Sequence, residues 1–143
     1  MLAGLAALVV AALFTGAAVY INVAEQPARL GLDDRGLLAQ WKPAYARGFT
    51  MQATLAIVGF LLGALAWFLT ADLRWLVGAV VLLANWPYTL IVIMPVNHRL
   101  NAIAPDAASP ESRALILRWG TLHAGRSALG AVATLLFFWA ALR

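Results

Sequence analysis

Residues 75–97 read WLVGAVVLLANWPYTLIVIMPVN, a run of 23 residues without a charged side chain. A helix needs about 20 apolar residues to cross about 30 Å of hydrocarbon, so this run is long enough to span a bilayer. Residues 2–24 and 49–71 form two more uncharged runs of 23 residues, and a shorter one covers residues 127–142. The sequence therefore predicts four membrane-spanning helices, at about 2–24, 49–71, 75–97 and 120–142.

The composition of the whole chain also indicates a membrane protein. Of its 143 residues, 64% are hydrophobic and 11% are charged, whereas a soluble domain is about 45–50% apolar and about 25% charged. So short a chain cannot bury that many apolar side chains in one water-facing core. High hydrophobicity excludes disorder, and the absence of cysteine excludes disulfides and cysteine-based metal sites. We expect a single domain over residues 1–143.

The expected fold is an all-α integral membrane four-helix bundle with up-down-up-down topology. Strands are excluded because isolated ones leave backbone groups unpaired in lipid, and the runs lack the alternation of a barrel. The expected connections are a long loop over 25–48, a tight turn at 72–74 and a second long loop over 98–118. Ser109-Pro110-Glu111 is a typical helix start and favours a last helix that begins near Pro110, ahead of its apolar part.

The basic residues predict the orientation of the helices. The net charge is +4, but its bases are scattered singly, so we expect no nucleic acid as partner. One side of the predicted bundle holds Arg29, Arg35, Lys42, Arg47, Arg99, Arg113, Arg118 and Arg126, and the other holds Arg74 and Arg143. Because positive charge favours the cytoplasmic side, we expect a multi-pass protein of the cell (inner) membrane. Its long loops would be cytoplasmic and both termini outside.

Most strongly polar side chains of the four runs fall on the side that carries the long loops. They are Asn22, Glu25, Asn85, Tyr88, Asn97, Trp119, His123 and Arg126. Ionisable groups at a membrane boundary are costly and usually pair or line a pathway. We therefore expect a polar pocket that opens toward the cytoplasmic side, with an ion pair between Glu25 and Arg126. The alternative is that the Glu25–Arg126 pair only clamps two helices, with Asn22 and Asn85 supplying inter-helix hydrogen bonds.

His123 is open to several chemical roles: a general base, a hydrogen-bond donor or an axial ligand of haem or a metal. A metal site of Glu25, His98 and His123 is chemically allowed, although no HxxxH or HExxH spacing is present. We expect His98 to be solvated and the protein to need no cofactor. Haem or a metal at His123 is the alternative.

Aromatic and small residues suggest how the helices sit in lipid and against each other. Trp41, Trp67, Trp75 and Trp139 are expected at the membrane interfaces. Gly59 and Gly63 form a GxxxG pair that is compatible with a homo-oligomer. The expected partners are thus the lipid bilayer, a lipophilic small molecule and a second copy of the chain. The two halves of the sequence also resemble a weak internal repeat. Each contains, in this order, a span, a Pro, an Arg-Leu pair, a loop, a Trp, an Arg and a second span.

The motif Asn22-Val23-Ala24-Glu25-Gln26-Pro27-Ala28-Arg29 resembles the VExPAR signature of the DUF1772 membrane family. Four further motifs fit the same pattern in the same order along the chain. They are Trp41-Lys42-Pro43-Ala44-Tyr45, Asn85-Trp86-Pro87-Tyr88-Thr89, Met94-Pro95-Val96-Asn97 and Trp119-x-x-x-His123-x-x-Arg126.

This resemblance implies a small four-helix protein. Some members of the family are anthrone oxygenases, which convert an anthrone to an anthraquinone with dioxygen and no evident cofactor. By resemblance, Glu25 or His123 would be the base and Arg126 would stabilise the enolate. The pocket would be lined by Asn22, Asn85, Tyr88, Asn97 and Trp119. The alternative is a non-catalytic membrane protein, either a small-molecule binder or transporter or a subunit of a complex.

Overall fold

The computed structural model describes residues 1–142, which form four long helices. These are α1 (Leu2–Leu30), α2 (Asp34–Thr70), α3 (Leu73–Ala102) and α4 (Pro110–Ala141), and each is long and apolar enough to cross a membrane. Among residues 1–142 there is no strand. The predicted all-α fold is confirmed. Arg143, which the sequence analysis counted among the basic residues on the side of the termini, lies outside the described residues.

The four helices form a square bundle. α1 packs against α2 and α4, and α3 packs against the same two neighbours. Because the connections are short, consecutive helices run antiparallel, which confirms the up-down-up-down topology. We call the end that carries the connections 31–33 and 103–109 the loop end. The opposite end carries both termini and the turn at 71–72.

The predicted long loops at 25–48 and 98–118 are wrong, because both are mostly helical. Asp33 caps α2 by accepting a hydrogen bond from the backbone N–H of Gly36 at 2.7 Å. α4 begins at Pro110 as predicted, with Ser109 and Ser112 forming a reciprocal cap. The end of an apolar run shows where a helix can leave the lipid. The helix itself begins further out, at the residues that cap it.

Two wide π-helical turns interrupt the bundle at equivalent places in the two halves. They cover Ile21–Glu25 in α1 and Thr89–Ile93 in α3, and each is followed by a proline, Pro27 or Pro95. Proline has no N–H to donate and its ring crowds the carbonyl four residues earlier, so a widened turn accommodates it. The two equivalent π turns agree with the weak internal repeat in the sequence.

The half of the bundle that carries the termini is a close-packed apolar core built around Phe137. A Cβ on Gly63 would lie 2.8 Å from the Phe137 ring, and a Cβ on Gly59 would collide with Leu82. The GxxxG pair therefore packs inside the bundle and presents no surface to a second copy, and the homo-oligomer stays a prediction. Trp75 also belongs to this core, at 6% exposure, and is not an interface anchor.

A second core lies at the loop end. It contains Leu37, Leu38, Trp41, Ile93, Val96, Leu100, Leu115, Ile116 and Trp119. Trp41 is fully buried here, so it is not an interface anchor as predicted. Arg113 fastens α4 to the α1–α2 connection through Asp34 at 2.5 Å, the Leu30 carbonyl at 3.0 Å and the Leu32 carbonyl. Polar side chains lie between this core and the apolar half.

Candidate functional site

A narrow cleft between the two cores is lined by residues from all four helices. The lining residues are Ile21, Glu25, Arg29, Ala44, Tyr45, Gly48, Phe49, Gln52, Ile93, Asn97, Trp119, His123 and Arg126. The space open to the centre of a water molecule measures about 20 Å³. That is room for about one water. The cleft thus brings several polar side chains together around a very small volume.

His123 lies in this cleft with its ring orientation fixed from α1. Its Nδ1 is 2.9 Å from the Asn22 amide oxygen. The orientation of that amide is set because Asn22 Nδ2 donates to the Gly120 carbonyl at 2.9 Å, and the Ser127 hydroxyl donates to Oδ1 at 2.8 Å. Since an amide oxygen only accepts, Nδ1 of His123 must carry a proton. A neutral His123 then offers Nε2 as a proton acceptor.

Arg126 follows His123 by about one helical turn and is 6% exposed. No carboxylate of residues 1–142 forms a salt bridge with it, and its Nε has no hydrogen-bond partner there. Its guanidinium carbon lies 5.6 Å from the centre of the Phe14 ring. A buried charge is normally paired, because desolvation without compensation is expensive. This arrangement suits a site that receives an anion.

Glu25 pairs with Arg29 and not with Arg126, so the predicted Glu25–Arg126 ion pair is wrong. The Glu25 carboxylate lies 2.6 Å from Nη2 of Arg29 and accepts from Gln40 Nε2 at 3.3 Å. Arg29 sits four residues further along α1, where a local ion pair forms without crossing the bundle. Its guanidinium carbon also lies 5.6 Å from the Trp119 ring centre.

The other predicted site residues are divided between the cleft and the helix contacts. Trp119 and Asn97 line the cleft, and the Trp119 ring lies 4.9 Å from that of His123. Asn22 acts through its hydrogen bond to His123. The Tyr88 hydroxyl donates to the Leu122 carbonyl at 2.7 Å and joins α3 to α4 outside the cleft.

Asn85 lies in a second, smaller compartment on the other side of Arg126. This compartment is lined by Phe49, Ala53, Ala56, Asn85, Trp86, Thr89, Leu90 and Arg126. Arg126 and Phe49 line both spaces. The unpaired guanidinium therefore faces two adjoining compartments, with a half-buried aromatic ring between them.

The buried side-chain atoms without a hydrogen-bond partner cluster around these spaces. Within residues 1–142 they belong to Gln26, Arg29, Gln40, Trp41, Gln52, Asn85, Thr89, Asn97, Trp119 and Arg126. Nearly all buried polar groups in proteins are hydrogen-bonded. A concentration of exceptions in one half of the bundle is typical of a site whose polar atoms are completed by bound water or by a ligand.

The predicted site lacks six of the polar or aromatic residues that line the two spaces. They are Arg29, Tyr45, Phe49, Gln52, Trp86 and Thr89. Tyr45 carried a signal, because it follows Trp41 by four residues as His123 follows Trp119. Arg29 carried one too, four residues after Glu25 on the same polar stripe. Thr89 carried one as the last residue of the Asn85-Trp86-Pro87-Tyr88-Thr89 motif, whereas Phe49 carried none, since it resembles any other residue of an apolar run.

The structure does not assemble the metal-ligand set that the sequence allowed. Among the described residues, no three His, Asp or Glu side chains come close enough to hold a metal. His98 is exposed on α3, away from His123. The set of Glu25, His98 and His123 is therefore not brought together.

A family model described as anthrone oxygenase matches residues 41–136, which include the cleft residues of α2, α3 and α4. The chain belongs to the anthrone oxygenase family. This confirms the resemblance to the DUF1772 family. The chain is also 33% identical over 116 residues to the anthrone oxygenase ptaC of Pestalotiopsis fici (strain W106-1 / CGMCC3.15140), covering 68% of this chain and 79% of that protein. No solved structure gives a significant match to this member of the anthrone oxygenase family.

Proposed function

We propose that the protein is a membrane-embedded oxygenase that binds a lipophilic aromatic ketone of the anthrone type and oxidises it with dioxygen. The observation that carries the proposal is the pairing of two groups in one cleft. Arg126 is a buried cation without a carboxylate partner in residues 1–142, and His123 one turn away is held with Nε2 as its acceptor. Membership of the anthrone oxygenase family supports the same chemistry.

In the first step, His123 removes a proton from the substrate. An anthrone carries a CH₂ group conjugated to a ketone, so loss of one proton moves an electron pair to the ketone oxygen as an enolate. His123 Nε2 takes the proton, and the Arg126 guanidinium donates hydrogen bonds to the enolate oxygen. The unpaired cation of the resting protein is then neutralised by the substrate itself.

In the second step, the enolate reduces dioxygen. One electron passes to dioxygen, and the resulting carbon radical and superoxide combine to form a C–O bond. The proton held by His123 returns and gives a hydroperoxide. Loss of the second C–H proton together with cleavage of the O–O bond releases water and leaves a ketone. The sum is CH₂ plus O₂ to C=O plus H₂O, and we propose that no cofactor is needed because the enolate supplies all the electrons.

The substrate must widen the cleft, because a tricyclic ring system does not fit in about 20 Å³. An outer groove of about 270 Å³ adjoins the cleft and is lined by residues of α1 and α2 and their connection, among them Tyr20, Glu25, Arg29 and Gln40. Glu25 and Arg29 line both spaces. We therefore propose that the substrate approaches through this groove past the Glu25–Arg29 ion pair, on the cytoplasmic side of the membrane.

The proposal is tested with the purified full-length protein in lipid nanodiscs. An anthrone is added in air, and quinone absorbance and oxygen consumption are followed together. We expect one quinone per dioxygen consumed. His123→Ala should lower kcat by about 10²–10⁴-fold, whereas His98→Ala, which removes the exposed histidine, should leave kcat unchanged. Equal turnover by both variants would overturn the proposal, and binding without quinone formation would identify a passive binder.

A further inference from the structure

Tyr45 on α2 lines the cleft, yet neither step of the proposed reaction uses it. Its ring is stacked on that of Trp41, with the ring centres 4.7 Å apart and the planes inclined by 2°, and the Phe49 ring centre lies 5.9 Å away. Trp41 is fully buried in the core at the loop end, so packing fixes the position of the Tyr45 ring. The Tyr45 side chain is therefore held at the cleft by contacts that do not involve its hydroxyl.

The Tyr45 hydroxyl donates to a weak acceptor among residues 1–142. It lies 4.0 Å from Sδ of Met94, and Nδ2 of Asn97 lies 3.8 Å from the same sulfur. A thioether accepts hydrogen bonds only weakly. The Tyr88 hydroxyl, by comparison, donates to the Leu122 carbonyl at 2.7 Å. The phenolic proton of Tyr45 is thus available to a substrate, whereas that of Tyr88 is engaged.

Among the cleft residues that the structure describes, Tyr45 is the one suited to act as a general acid. The Glu25 carboxylate is engaged by Arg29 and Gln40 as an acceptor. The arginines do not release a proton in proteins, and neutral His123 serves as the base. A phenol is a far stronger acid than water, so a departing hydroxide takes its proton readily.

The last step of the proposed reaction requires two proton transfers. The C–H proton of the hydroperoxide must leave the carbon, and the outer peroxide oxygen must gain a proton in order to depart as water. His123 can accept the first proton through Nε2. It cannot supply the second while it acts as the base, so the step calls for an acid on another residue.

We propose that Tyr45 is a catalytic acid that donates its phenolic proton to the outer oxygen of the substrate hydroperoxide. The C–H electron pair becomes the second bond of the new C=O group while the O–O bond breaks, so the carbon is oxidised and the peroxide is reduced. His123 takes the C–H proton and water departs. The proton then passes from His123 to the Tyr45 phenolate, which restores both groups.

The surroundings of Tyr45 support this role, because the phenolate formed after proton donation faces a cation. The Arg126 guanidinium is close enough to the Tyr45 hydroxyl for their charges to interact. The same arginine that holds the enolate in the first step thus stabilises the phenolate in the last one. This inference rests on the proposed function, since it completes the second step of that reaction.

The test separates enolate formation from peroxide cleavage in Tyr45→Phe, which retains the stack on Trp41 and loses only the hydroxyl. Without oxygen, this variant in nanodiscs should convert bound anthrone to its anion as the unmodified protein does, since His123 and Arg126 are unchanged. In air it should still consume dioxygen, but quinone formation should be slower by about 10²-fold or more. A hydroperoxide of the anthrone that carries both atoms of dioxygen should accumulate and be detected by mass spectrometry.

The matched control is Tyr88→Phe, which removes a phenolic hydroxyl outside the cleft and should form quinone in step with oxygen consumption. Quinone formation by Tyr45→Phe at the unmodified rate would overturn the inference. Slower anion formation without oxygen would overturn it as well, because Tyr45 would then act on the structure of the site and not on the peroxide. If the unmodified protein forms neither the anion nor quinone, the proposed function fails, and the inference fails with it.

Discussion

The Asn22 amide oxygen lies 2.9 Å from Nδ1 of His123, so a residue on α1 determines which ring nitrogen of a residue on α4 carries the proton. The Gly120 carbonyl and the Ser127 hydroxyl, both on α4, hold the amide in this orientation. The contact therefore joins two helices and leaves Nε2 as the proton acceptor of the neutral ring.

Asn22→Ala is expected to lower kcat by about tenfold or more while KM changes little. The reason is that His123 loses the acceptor that fixes its tautomer, which forfeits part of the roughly 10²–10⁴-fold contribution of a general base. Asn22→Asp should lose less activity than Asn22→Ala, because a carboxylate still accepts from Nδ1–H and from Ser127, although it cannot donate to the Gly120 carbonyl. Steady-state kinetics of the two variants check this. Equal loss in Asn22→Asp, with both proteins folded by circular dichroism, would refute the positioning role.

Arg126→Met is expected to abolish oxidation and at the same time to make the protein more stable. A buried cation without a partner carboxylate opposes folding, and replacing buried charges with apolar residues can stabilise a protein by about 1–4 kcal/mol. The midpoint of thermal unfolding in nanodiscs, measured beside the turnover rate, tests both parts. Arg113→Met is the matched control, and it should lower the midpoint because Arg113 is bonded to Asp34 and two backbone carbonyls. A lower midpoint in Arg126→Met would speak against an unpaired cation.

Glu25→Gln is expected to destabilise the protein by about 1–3 kcal/mol, because it leaves the buried Arg29 guanidinium without its carboxylate partner. The double variant Glu25→Gln with Arg29→Met should recover much of this loss, since both charges are then absent. Thermal unfolding of the single and double variants gives the coupling between the two residues. If the stability changes of the two single variants simply add up in the double variant, the ion pair does not hold Arg29 in place.

Tyr88→Phe is expected to lower stability by about 1 kcal/mol and to leave the affinity for anthrone unchanged. The Tyr88 hydroxyl donates to the Leu122 carbonyl at 2.7 Å and lies outside the cleft. Thr121→Val serves as the control, because the exposed Thr121 hydroxyl donates to the Leu117 carbonyl of its own helix and should change neither quantity when it is removed. A clear loss of anthrone affinity in Tyr88→Phe would return this residue to the binding site, where the sequence first placed it.

The purified protein is expected to contain no haem and less than a stoichiometric metal ion. An absorption spectrum and elemental analysis check this, and turnover should persist after dialysis against a chelator. A Soret band, or about one equivalent of iron or copper that is lost in His123→Ala, would replace the base role of His123 with a ligand role.

The sequence predicts the helices better than their ends. Four uncharged runs are enough to predict four spans, because only a helix or a closed barrel satisfies backbone groups in lipid. The predicted loops are too long, because the charged segments 34–48 and 110–118 continue their helices beyond the apolar runs. Caps at Asp33 and Ser109, rather than hydropathy, decide where those helices begin.

The structure places a cleft lined by polar side chains where the sequence predicts a polar pocket, but the ion pairing within it differs from the prediction. Glu25 and Arg126 have opposite charges at similar depth, yet the nearer partner is Arg29 on the same helix. The π turn at Ile21–Glu25 changes the helical register there, which a regular spacing of three or four residues cannot anticipate. The role of Phe49 also depends on packing between helices, which leaves no trace in a single sequence.

The most direct test of the account is an anaerobic spectrum of an anthrone bound to the protein. If His123 removes a proton and Arg126 holds the enolate, excess protein should convert the neutral spectrum of the anthrone to the red-shifted spectrum of its anion. Admission of air should then convert that band to the anthraquinone. An anthrone that stays neutral when fully bound, or an anion band that persists unchanged in Arg126→Met, would contradict the account.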